Sequence, residues 1–122
     1  MKIRIYYEDT DAGGVVYHSN YLNFFERARS ELFFSKGMKP FNNDDHFVAR
    51  KIDISFKKPA KLGDEITITT AVTELKKASC TLRQRAYKDD ELLVEANVNL
   101  AFTKALKSAK IPELFLKVFN DL

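Results

Sequence analysis

Only one stretch of this chain spaces its apolar residues for a long helix, whereas several others alternate as strands do, and that imbalance restricts the fold. From about residue 19 to 36, Tyr21, Phe24, Phe25, Ala28, Leu32 and Phe33 recur at helical intervals, with Asn23, Glu26, Arg27, Ser30 and Glu31 largely between them. Ser19 or Asn20 is expected to cap this helix, and Gly37 to stop it. Period-two alternation appears at Ile3, Ile5 and Tyr7, which places Tyr7 on an inward face, and again from Phe47 to Lys58, where Ile52, Ile54 and Phe56 share a face before Pro59. Between residues 64 and 74, Ile66, Ile68 and Val72 oppose Thr67, Thr69 and Thr73. After a turn at Lys76-Lys77, Cys80, Leu82 and Ala86 point inward against Thr81, Arg83, Arg85 and Tyr87. Asp89-Asp90 marks a hairpin tip, and Leu92, Val94, Ala96, Val98, Leu100 and Phe102 then face one way.

Strands with one dry face need a cover. The economical solution is an α+β fold in which a five-stranded antiparallel sheet wraps one long central helix. The expected order is strand, helix, four-strand meander, and a short C-terminal helix from about Pro112 to Phe119. That last helix carries an apolar stripe at Ile111, Leu114, Phe115, Val118 and Leu122, suited to packing on the sheet or on a partner subunit. No repeat or Pro/Gly/Ser-rich linker divides the sequence, so residues 1–122 read as one domain. The single cysteine, Cys80, excludes an internal disulfide framework and suits a reducing compartment. Met1 to Ile5 alternate charge and hydrophobe, unlike a signal peptide or a membrane span, so a cytoplasmic protein is expected. The net charge of +3 comes from dispersed lysines, which admits an anionic small ligand and argues against nucleic acid.

Residues 7 to 21 concentrate the chemistry: Tyr-Glu-Asp-Thr-Asp-Ala-Gly-Gly-Val-Val-Tyr-His-Ser-Asn-Tyr, between a strand and a helix start. Carboxylate and imidazole move protons, glycines let backbone approach a ligand, and a helix N-terminus offers unpaired N–H groups to developing negative charge. The plainer reading makes Asp9 and Asp11 turn-formers, and for Asp9 the two readings balance. An EF-hand is disfavoured, because its twelfth position would be Asn20 rather than glutamate and the segment before it reads as strand. Cys80 reads as a small core residue, and His46, within a polar loop, as solvated.

The run Asp-Thr-Asp-Ala-Gly-Gly-Val-Val-Tyr-His resembles the signature of the 4-hydroxybenzoyl-CoA thioesterase family, of hotdog fold, and within it the acyl-CoA thioesterase branch associated with the Tol-Pal envelope system. The likeness continues through Phe25-Glu26-Arg27-Ala28-Arg29, Val48-Ala49-Arg50-Lys51 and Pro59-Ala60-Lys61-Leu62-Gly63-Asp64. It implies an acyl-CoA thioesterase in which Asp11 is the catalytic carboxylate, as nucleophile or general base, assisted by His18 and Tyr7, with no metal or cofactor. It also implies a homodimer joined sheet edge to sheet edge, or a tetramer, with acyl groups entering between protomers. Helix N-terminal amides near His18 are then expected to polarise the thioester carbonyl. Gly14, Val15 and Tyr17 are the expected substrate contacts in the loop, while Arg50, Lys51, Lys57, Lys58 and Lys61 are candidates for the coenzyme A phosphates, against the plainer reading of a solvated basic face. Glu26, the catalytic position in other hotdog branches, is here a supporting residue or a partner of Arg27 or Arg29. Two rival readings remain: hydrolysis of acyl groups on acyl carrier protein, and a non-catalytic acyl-binding or envelope-assembly adaptor linked to the Tol-Pal proteins.

Overall fold

The computed structural model describes all 122 residues. One antiparallel sheet is built from β1 (Lys2–Arg4), β2 (Phe41–Asn42), β3 (Asp45–Phe56), β4 (Glu65–Leu75), β5 (Ser79–Lys88), β6 (Glu91–Lys104) and β7 (Lys107–Ser108). The spatial order is β1-β4-β5-β6-β3-β2, with β7 paired to the end of β6. Helix α1 spans Asn20–Phe34 and α2 spans Glu113–Asn120. This is the hotdog architecture, with four long strands and the three-residue β1 around a central helix, β2 and β7 being two-residue additions.

The expected four-strand meander is corrected. Only β4, β5 and β6 follow one another in space; β3 lies on the far side of β6, pairing Ile52 with Val98 and Phe47 with Phe102. β3 stops at Phe56, beyond which the N–H groups of Lys57 and Lys58 both donate to the Leu93 carbonyl, and Pro59, with no N–H, cannot extend the ladder. The chain then crosses from Lys57 to Asp64 over the start of α1.

Tyr21, Phe24, Phe25, Ala28 and Phe33 of α1 are buried against Ile66, Ile68, Leu82, Ala96, Val98 and Leu100 of the sheet, while Leu32 and Ile54 are half-buried around them. Tyr21 meets Phe56 at 5.9 Å between ring centroids and Phe33 meets Phe47 at 6.1 Å, so α1 runs antiparallel to β3. Gly37 takes the left-handed conformation, φ +72°, that closes the helix. Neither expected N-cap side chain caps it: Ser19 makes no such bond, and Asn20 Nδ2 donates to the Asp9 carbonyl at 2.9 Å.

α2 seals the end of the core near the C-terminus of α1. Phe115 and Phe119 pack on Phe33, Phe47 and, through Phe115, Phe102 at centroid distances of 5.5 to 5.9 Å. The predicted stripe is rotated: Ile111, Phe115, Val118 and Phe119 are buried, whereas Leu114 and Leu122 are exposed. Neither helix is long and apolar enough to cross a membrane.

Candidate active site

The loop from Thr10 to Val16 folds as a small hairpin. Thr10 bridges to Val16 and the Asp11 N–H donates to the Val15 carbonyl at 2.9 Å. Asp11 Oδ1 accepts the Gly13 N–H at 2.8 Å and its carbonyl accepts the Gly14 N–H at 3.1 Å. At Gly13 a Cβ would lie 3.2 Å from that carboxylate oxygen, so a larger residue would push the Asp11 side chain by a few tenths of an ångström. Gly14 is required by conformation, with φ +78°. The second carboxylate oxygen, Oδ2, has no protein partner, and the residue is exposed.

The β3–β4 crossover anchors this hairpin. Val15 bridges to Lys61, the Val16 N–H donates to the Ala60 carbonyl at 2.9 Å, and the Leu62 N–H donates to the Gly14 carbonyl at 3.2 Å. Beneath it, Tyr21 Oη accepts the Ala60 N–H at 3.3 Å, and burial pushes the Tyr21 phenol above its ordinary pKa. Asp64 clamps the crossover by accepting the Lys61 N–H at 2.8 Å. The sequence gives little hint of Asp64's role, because an aspartate after Gly63 reads simply as a turn.

Asp9 is a structural residue. Its Oδ2 accepts the Tyr6 N–H at 2.9 Å and its carbonyl accepts both the Tyr17 N–H and Asn20 Nδ2. By closing the turn Tyr7–Asp9, it ends the first strand early. Tyr7 is therefore not on an inward face: it lies in that turn, 82% exposed.

His18 is exposed at the start of α1, 4.4 Å from the Tyr17 ring and edge-on to Phe56 at 6.0 Å. It lines a cavity of about 240 Å³ with Val16, Tyr21, Phe56, Lys57 and Lys58. The amides of Asn20, Tyr21 and Leu22 bond back to the carbonyls of Tyr17, His18 and Ser19. The N–H groups of His18 and Ser19 are thus the free donors at this helix end.

The basic candidates separate. Lys57 and Lys58 border the His18 cavity, although Lys58 also bonds Glu91 at 2.7 Å. Arg50 and Lys51 instead line a polar hollow on the outer face of the sheet with Thr81, Asn97 and Asn99. Cys80 is 1% exposed, and burial pushes its thiol up to about 12, which removes it as a nucleophile. Glu26 pairs with neither arginine: its Oε1 accepts the Ser30 hydroxyl at 3.0 Å.

The thioesterase superfamily model matches residues 13–95, more than half of the chain. The chain belongs to this superfamily. It is 49% identical over 87 residues to the acyl-CoA thioesterase YbgC of Helicobacter pylori, a match covering 71% of this chain and 65% of that protein, just under two thirds of its length. It is 42% identical over 126 residues to the acyl-CoA thioesterase YbgC of Haemophilus influenzae, covering 98% of this chain and 93% of that one. A crystal structure of a hypothetical protein from Aquifex aeolicus superposes with a TM-score of 0.92 at 30% identity, covering 98% and 97% of the two chains.

Proposed function

We propose that this protein hydrolyses acyl-CoA thioesters, its 122 residues acting as one hotdog domain. The near-full-length match to the Haemophilus acyl-CoA thioesterase carries this reading, and the loop geometry supports it chemically. With Oδ1 tied to Gly13, Asp11 presents Oδ2, either to the thioester carbon or to a water whose proton it removes. The amides of His18 and Ser19 suit the oxyanion that forms, and the thiolate then leaves with a proton. His18 orients water or substrate beside them. Tyr7, exposed on its turn, is assigned a role at the mouth of the site. The coenzyme A phosphates run along Lys57 and Lys58.

Asp11→Asn is expected to lower kcat at least a hundredfold with melting temperature and oligomeric state unchanged, as free-thiol release would show. Asp9→Asn should be milder and act through stability, because that carboxylate bonds only backbone. Retention of a tenth of wild-type turnover by Asp11→Asn would remove the carboxylate from the chemistry.

The protein is proposed to work as a homodimer. β2 covers β3 only at Asp45 and His46, so the strand edge from Phe47 to Phe56 has no partner in the chain. Antiparallel pairing of two such edges sets the Phe56 end of one copy beside the Val48 end of the other. The His18 cavity of one protomer then adjoins the inner surface around Phe47 and Ala49 of its partner. Within a single chain these two places are roughly 23 to 30 Å apart along β3, at ~3.3 Å per residue.

A further inference from the structure

Asn20 is the first residue of α1, and its side chain turns away from the helix. It is half-buried, and its Nδ2 reaches back along the chain to donate to the Asp9 carbonyl at 2.9 Å. The same oxygen accepts the Tyr17 N–H at 3.0 Å, and the Asn20 N–H closes the turn on the Tyr17 carbonyl at 2.9 Å. Residues 17 to 20 are thus held at both ends by one carbonyl oxygen. His18 and Ser19, whose amides are the free donors at this helix end, lie between the two anchors.

The anchoring carbonyl is itself fixed. The Asp9 N–H donates to the Tyr6 carbonyl at 3.0 Å, and Asp9 Oδ2 accepts the Tyr6 N–H at 2.9 Å. From there the chain runs through Thr10, which bridges to Val16, to Asp11, whose N–H donates to the Val15 carbonyl. The carboxylate therefore lies two residues beyond the anchor, and the amides lie inside the turn that the anchor holds. A single bond from Tyr17 would fix a distance but leave the turn free to pivot. The second donor, from Asn20, fixes its orientation. An aspartate of the same shape could not serve, because it would set an acceptor against an acceptor.

We propose that Asn20 is a positioning residue for thioester hydrolysis: through the Asp9 carbonyl it holds the His18 and Ser19 amides in a set relation to the Asp11 carboxylate. This rests on the thioesterase reading. The carboxylate, or the water it activates, addresses the thioester carbon while the amides address its oxygen, so the two must be aligned on one carbonyl. A displacement of about 1 Å in such an arrangement can cost on the order of a hundredfold in rate. The loss belongs to the chemical step, and so to kcat rather than KM.

The test takes the acyl-CoA of highest turnover in a chain-length series and measures kcat and KM for wild type and Asn20→Ala, each with and without Asp11→Asn. Asn20→Ala should lower kcat by roughly ten- to a hundredfold with KM within about twofold. Affinity for a thioether analogue, with a methylene in place of the carbonyl, should be unchanged by calorimetric titration. In the Asp11→Asn background the same change should cost much less, since alignment matters only while both groups act. A merely structural asparagine would lower the melting temperature and reduce turnover by the same factor in both backgrounds. Should Asn20→Ala fail to fold, Asn20→Gln, which carries the donor on a stem one methylene longer, should still lower kcat with KM held. Unchanged kcat in a folded variant, a loss confined to KM, or an equal factor with and without the carboxylate overturns the inference and leaves the thioesterase reading in place. Wild type inert on every acyl-CoA overturns both.

Discussion

Asp64 accepts the Lys61 N–H at 2.8 Å, and its carboxylate lies 3.1 Å from the Lys88 ammonium, while its own carbonyl accepts the Ile5 N–H. Burial opposes ionisation of this carboxyl, but the Lys61 N–H and Lys88 outweigh it and hold the pKa below the ordinary value. An unfolded aspartate titrates near ~3.9. The stabilisation from Asp64 is thus fully present above that value and is lost as pH falls through the lower, folded one. Thermal melts from about pH 6 down to about pH 3 should show Asp64→Asn less stable than wild type at the upper end, with the gap narrowing at the lower. A gap constant across that range would mean the side chain acts through shape rather than charge. Since Lys61 bridges to Val15, the same variant should also loosen the Asp11 loop. Asp9 and Asp11 show why residue type alone does not assign a role. They sit two apart in a polar turn, yet Asp9 spends its carboxylate on the Tyr6 amide while Asp11 keeps one oxygen free.

Among the elements, α2 makes the sharpest test. Phe115 is 5% exposed among Phe33, Phe47 and Phe102, whereas Leu114 beside it is 68% exposed. Phe115→Ala should cost about 3–5 kcal/mol in urea unfolding and Leu114→Ala no more than about 0.5 kcal/mol. Equal losses would mean that α2 is docked by the other side. The sequence pattern admits Leu114 and Phe115 to one stripe because eight residues of helix make barely two turns, too few for periodicity to fix a rotation. α1 is long enough to escape that ambiguity, and its buried face is the one its spacing predicts. β4, β5 and β6 were legible for the same reason, with Leu82, Val98 and Leu100 inward. The place of β3 beyond β6 was not, since local alternation carries no record of which neighbour a strand takes. Gln84 was also invisible to pattern: a polar residue on an apolar face is explained only by the Phe25 carbonyl that it meets.

At the scale of the whole molecule, the edge of β3 makes two copies more plausible chemically than one. Its exposed residues include Val48 at 36% and Phe56 at 49%, and the strand carries Lys51 and Asp53 with side chains pointing to the outer face. A two-fold axis through Ile52 would set Lys51, which within one chain lies 3.8 Å from its own Asp53, opposite Asp53 of the second copy, twice per dimer. Cross-strand charge pairs contribute roughly 0.2–1 kcal/mol each, and like charges set opposite one another are unfavourable by a similar amount. Lys51→Glu should therefore weaken dimerisation on the order of tenfold at low salt, an effect that added salt reduces. Lys51→Glu combined with Asp53→Lys restores the complementarity and should recover the wild-type constant. Sedimentation equilibrium at two ionic strengths decides the matter. A double variant no better than the single one would exclude this register, and a wild-type protein monomeric at micromolar concentration would exclude the shared site with it. Turnover adds a check independent of mass: if the acyl group lodges against the partner's Phe47, the activity of Lys51→Glu should fall on dilution and return as concentration is raised.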